Sequence, residues 1–100
     1  MLKTNLSEGS ATITLSGRFD FNMNKAFRDA YESLLESNEV KTLDLNFSKV
    51  EYMDSSALGM LLVLREKANE ANKQVRLLNC KGVIRQVLDV AHFDRFFKIV

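Results

Sequence analysis

The side chains best suited to chemistry lie in one short run, Asp54-Ser55-Ser56, where an extended segment gives way to a helical one. The stretch around it reads Tyr52-Met53-Asp54-Ser55-Ser56-Ala57-Leu58-Gly59-Met60. A helix start is the place where backbone N–H groups lack intrahelical partners and the macrodipole is positive. Carboxylates and hydroxyls are favoured there, so Asp-Ser-Ser before an apolar helix reads first as an N-cap. A hydroxyl in that first turn is also well placed to carry a phosphate, because the free N–H groups suit an anion. The two readings are compatible: Asp54 can cap while a serine is modified.

The elements that must position this run follow from periodicity. Thr42 to Phe47 alternates as a strand with Leu43, Leu45 and Phe47 on one face, and Ser48 to Met53 reads as a connecting loop. The helix that follows the serines continues to about Ala71. Its first two turns, Ala57 to Leu64, are apolar nearly all round, which predicts burial on every side. Upstream, Leu2 to Leu6 is a strand, Ser7 to Ser10 a turn, and Ala11, Ile13 and Leu15 alternate with polar residues as a second strand, together an antiparallel hairpin. Gly17-Arg18-Phe19-Asp20 ends it. Asn22 or Asn24 caps a first helix carrying Ala26, Phe27, Ala30, Tyr31, Leu34 and Leu35 at helical spacing. Downstream, Gln74 to Leu78 is a strand, Val83, Ile84, Val87, Leu88 and Ala91 mark a third amphipathic helix, and Phe96 to Val100 a last strand, after a short turn at Asp94 and Arg95. The order ββαβαβαβ predicts an α/β fold: a small mixed sheet of about five strands, an opening hairpin then βαβαβ, with three to four helices. Residues 1–100 read as a single domain without a linker.

Composition narrows the function. Formal charge is +1, from 14 basic and 13 acidic residues, with no basic stripe, so nucleic-acid binding is not expected. No segment approaches a membrane span, and the N-terminus lacks a signal peptide's apolar run. The single cysteine, Cys80, reads as an apolar filler and fits a cytoplasmic location. One His and one Cys do not make a metal site, no phosphate-cradling glycine loop is present, and no cofactor is expected. His92 reads as a helix-end or surface residue. Ser56 is not set between glycines as a hydrolase nucleophile would be: its flanks are Asp54 and Ala57, the elbow pattern is broken, and no catalytic residue is assigned.

Met53-Asp54-Ser55-Ser56-Ala57-Leu58-Gly59 resembles the signature Asp-Ser-(Ser/Thr)-Gly-Leu-Gly of STAS domains, the sulfate-transporter and anti-sigma-factor-antagonist module. Gly17-Arg18-Phe19-Asp20 is similar to that family's Gly-x-(Leu/Phe)-Asp at the end of its second strand. Ala57 departs from the usual glycine, a change that a helix's first turn tolerates well. The resemblance covers nearly the whole chain. It implies a bacterial partner-switching regulator whose unmodified form binds a serine-protein kinase of the anti-sigma factor type, is released by phosphorylation, and is reset by a PP2C-like phosphatase. The phosphorylated residue it implies is Ser56, with Ser55 as runner-up; Asp20 and Asp54 are implied to shape the site. Phe21 and Met23, in a loop outside any clear core pattern, extend the expected partner surface around Asp20, Asp54, Ser55 and Ser56. The alternative implied by the family is a structural subunit of an ABC-type lipid transporter complex, without a phosphate cycle.

Overall fold

The computed structural model describes residues 2–100. Strand β1 (Leu2–Ser7) returns through a turn with Gly9 at φ +80° into β2 (Ser10–Phe19), pairing antiparallel with Leu2 opposite Leu15 and Ser7 opposite Ser10. Such a positive φ is open to glycine at little cost. A one-turn 3₁₀ segment, Phe21–Met23, leads into α1 (Asn24–Glu36). Then follow β3 (Thr42–Met53), α2 (Ser55–Glu70), β4 (Gln74–Leu78), α3 (Gly82–Val90), a second 3₁₀ turn at Phe93–Arg95 and β5 (Lys98–Ile99). The five strands lie in sequence order, β1-β2-β3-β4-β5, and all pairs after the hairpin are parallel. Three successive right-handed crossovers that advance in one direction put α1, α2 and α3 on a single face of the sheet.

The helix-covered face is the core. Ala11, Ile13, Leu15 and Phe19 of β2 and Leu43 and Leu45 of β3 are fully buried against Phe27, Leu61, Leu64 and Leu88. Phe19 meets Phe27 and Phe47 edge-to-face, with centroids 5.1 and 6.0 Å apart, a preferred aromatic geometry. The other face is polar. Asn5, Thr12, Asp44, Arg76 and Lys98 stand in register across all five strands. Asp44 is the buried charge of this row, and Arg76 holds it with two parallel bonds, Nε and Nη2 each donating at 2.8 Å.

Four expectations need correction. Ser48 to Met53 is not a loop: β3 runs on to Met53, paired with Ser16 to Phe19 of β2. Its buried residues there, Phe47, Val50 and Met53, fall three apart because the register shifts twice, between Thr14 and Ser16 and between Gly17 and Arg18. An extra residue of this kind breaks the period of two by which a strand is recognised. Neither Asn22 nor Asn24 caps α1; its N-cap position is Met23, with no side-chain bond, and the cap upstream is Asp20, which serves the 3₁₀ turn. The final strand is shorter than expected, Lys98–Ile99, because Phe93 and Phe97 are buried by the preceding turn. Helix α2 is not enclosed: Leu61 is fully buried, whereas Leu62 and Val63 are 38 % and 47 % exposed.

That asymmetry is measurable. Leu61→Ala should lower unfolding free energy by about 2–5 kcal/mol, while Val63→Ala should stay within about 0.5 kcal/mol, both read from urea midpoints. Similar losses for the two would mean that the outer side of α2 is covered after all.

Candidate functional site

Phe19 and Met53 pair across β2 and β3, so the next residue of each strand, Asp20 and Asp54, emerges at the same end of the sheet. This is the carboxyl end of parallel strands, where open α/β sheets offer their crevice. Both aspartates are extended and both cap a helical start. Asp20 accepts from the Asn22 N–H at 3.0 Å and pairs with Arg18 Nε at 3.4 Å. The Arg18 guanidinium lies 3.8 Å from the centre of the Tyr52 ring, joining the two strand ends through a cation–π contact.

Asp54 is the N-cap of α2, at φ −123° and ψ −173°. One oxygen, Oδ1, accepts three bonds: from the Ser56 N–H at 3.1 Å, the Ala57 N–H at 3.2 Å and the Ser56 hydroxyl at 2.6 Å. The Ser56 hydroxyl is the main cause that holds the Asp54 carboxyl below its ordinary pKa of 3.8; partial desolvation opposes it, and the Ala57 and Ser56 N–H groups add to the lowering. Each of these bonds is made to the charged form, which is why they favour it.

The two serines are one helical step apart and therefore point in different directions. Ser55 is exposed and borders an apolar groove between α2 and α3, with Leu58, Val83, Val87 and Val90. Ser56 is half-buried and borders a groove of about 500 Å³ between α1 and α2, with Phe21, Arg28, Met60 and Val63. Phe21, 67 % exposed, lines the same groove as Ser56. Met23 does not: it is half-buried and lines a separate groove with Leu2, Arg18 and Asp20. The expected surface is therefore three adjoining faces around one helix start.

The α2–α3 groove was not anticipated. Helix α3 buries only Ile84 and Leu88 fully, leaving Val83 and Val90 64 % and 81 % exposed. The signal in the sequence is an apolar arc, from Val83 to Ala91, wider than one buried stripe requires. Cys80 is buried and its thiol is pushed up to about 11, chiefly by desolvation, so it is unreactive at neutral pH. His92 is exposed, at a left-handed position (φ 58°) after α3. Among the described residues no cluster of His, Cys, Asp and Glu is suited to a metal ion, and no helix is long and apolar enough to cross a membrane.

A carboxyl whose folded pKa lies below its unfolded value contributes stability above the unfolded value and loses it as pH falls through the folded one. Asp54→Asn should therefore be less stable than the parent near neutral pH, with the gap closing below 3.8. Urea midpoints followed down to about pH 3 check this; a gap that does not change with pH would mean that the Asp54 charge has no part in the cap.

Comparison with known proteins agrees with this architecture. The family model described as "Mlab, STAS domain" matches residues 2–100. A STAS-domain containing protein of Pseudomonas aeruginosa is 44 % identical over 88 residues, 88 % of this chain and 85 % of its own. Among solved structures, the anti-sigma factor antagonist SpoIIAA in its unphosphorylated form superposes with a TM-score of 0.83 at 20 % identity, covering 100 % of this chain and 88 % of that one. The Bacillus cell fate determinant SpoIIAA in its phosphorylated form gives 0.76, also at 20 % identity, over 100 % and 91 %. With the five-stranded mixed sheet, the helix-capping Asp-Ser-Ser and a family match over all described residues, the chain belongs to the STAS domain family.

Proposed function

We propose that this protein is a cytoplasmic, phosphorylation-controlled partner switch of the anti-sigma factor antagonist type. Unphosphorylated, it docks on a serine-protein kinase of the anti-sigma kind through the surface around Asp20, Phe21, Met23, Asp54, Ser55 and Ser56. Phosphorylation of Ser56 breaks that contact, and a PP2C-like phosphatase restores it. The observation that carries the reading is the Ser56 hydroxyl. It sits half-buried in the first turn of α2, on a groove with exposed Phe21, bonded to Asp54 at 2.6 Å. A STAS fold with a phosphorylated and an unphosphorylated form, as in SpoIIAA, supports a phosphate cycle on this architecture. Ser55 is the second choice: it is the more exposed hydroxyl but opens on the other groove.

The energetics favour a switch in binding over a switch in fold. A phosphate adds roughly −1.5 to −2 charges at neutral pH and removes the hydroxyl proton that Asp54 now accepts. The helix N-terminus favours it by about 0.3–1 kcal/mol at an exposed site. The neighbouring Asp54 carboxylate opposes it, and Arg28 borders the same groove. These terms are small and of opposite sign, so the domain should accept the group. A partner surface shaped for a neutral hydroxyl would not. Covering an unpaired dianion costs a few kcal/mol in desolvation, about a hundredfold or more in affinity.

The test uses the kinase that co-purifies with a Ser56→Ala protein from the native cell. Ser56→Ala should keep its binding, and Ser56→Asp should lose it. Equal binding by the two variants rejects the mechanism.

A further inference from the structure

We propose that Arg28 is the internal counter-ion of the phosphorylated state: it reaches across the α1–α2 groove and pairs with a phosphate on Ser56. The inference rests on the phosphate cycle proposed above. Two matched stripes line the groove. Asn24, Phe27, Arg28 and Tyr31 come from α1, and Ser56, Gly59, Met60 and Val63 from α2, each at the i, i+3, i+4, i+7 spacing of one helix face. Arg28 is the cation of this set, and no acidic residue belongs to it.

Arg28 has no other engagement. It is exposed and makes no hydrogen bond or ion pair among the described residues. Its neighbours on α1, Lys25 and Asp29, are bonded to each other at 2.7 Å. Both helices start from the same end of the sheet, where Phe19 pairs with Met53, and both run back along parallel strands, so they point the same way. Side chains on a helix lean toward its N-terminus. Arg28 is thereby aimed at the end of the groove where Ser56 stands, in the first turn of α2. It lies one turn beyond Asn24, about 6 Å along the axis, a gap its side chain can span. The opposite wall is open: a Cβ on Gly59 would have no packing neighbour within 4 Å. A phosphate on Ser56, with roughly −1.5 to −2 charges, is repelled by the Asp54 carboxylate that now holds the hydroxyl, and turns toward the cation. A guanidinium takes phosphate oxygens in a bidentate fork. One positive charge does not neutralise both the dianion and Asp54, so this end of the groove stays negative and still resists a covering partner.

The test uses the full chain with phosphoserine placed at position 56 during translation, so that no kinase is needed. Its phosphorus NMR signal is followed through the second ionisation, at about pH 6. The groups facing the phosphate are Arg28 and Tyr31 from α1 and Asp54 from the start of α2. Asp54, held below 3.8, and Tyr31, pushed above 10.0 by burial, do not titrate in this window. Arg28 favours the dianion, so its removal must raise the midpoint. Arg28→Gln should raise it by about half a pH unit, the size of an exposed ion pair, and Arg28→Lys should recover part of that shift. Lys25→Gln, on the same helix but outside the groove, should leave the midpoint unchanged. Phosphoserine at position 55, which borders the other groove, should not respond to Arg28→Gln. The proposal is overturned if Arg28→Gln titrates as the parent does, or if Lys25→Gln or the position 55 phosphate shows the same shift. An Arg28 effect in a protein whose Ser56 the co-purified kinase leaves unmodified would support the pairing and reject only the switch reading.

Discussion

The parallel pairing of β2 with β3 is the constraint on which the rest depends. It is the longest ladder in the sheet, and two register shifts let it run on to Phe19 and Met53 without turning the core residues outward. Stopped at Phe47, the chain would leave seven residues, Ser48 to Asp54, unpaired before the serines. Carried to Met53, it fixes Asp20 and Asp54 side by side and aims α2 back across the sheet. The edge-to-face contacts of Phe19 with Phe27 and Phe47 lock the same corner from below. The strands beneath the site hold it in place.

On that support a single carboxylate oxygen unites structure and chemistry. Oδ1 of Asp54 closes the helix start through two backbone N–H groups and holds the Ser56 hydroxyl with a third bond. The cap and the hydroxyl are therefore one unit: whatever alters the oxygen of Ser56 is felt by the cap, and the charge of the cap is felt by whatever is attached to Ser56. Ser55, one step round the helix, stands outside this unit and faces the groove against α3. The two neighbours thus report to different surfaces.

Much of this was legible in the sequence, for physical reasons that also explain what was not. Strand β2 and the three helices follow regular periods of burial, and regular periods are what a sequence displays. The end of β3 broke its period at the register shifts, so a continuous strand read as a loop. The apolar start of α2 suggested enclosure, but hydrophobicity does not say whether a neighbour exists: Leu62 and Val63 have none to cover them fully. Asp54 as a cap was readable from residue type and place. That Asp20 rather than Asn22 or Asn24 would serve the upstream turn was not, because all three, at alternate positions, carry a side-chain oxygen that can accept from a backbone N–H. Phe21 was recognised as surplus to the core, whereas Met23 folded partly under.

The central claim is that the hydroxyl bonded to Asp54 is a reversible charge gate. The most direct measurement is site-resolved mass spectrometry of the protein after incubation with its co-purified kinase and ATP. The account predicts one phosphate, on Ser56. Phosphate on neither Ser56 nor Ser55 would contradict it and leave the domain as a structural subunit.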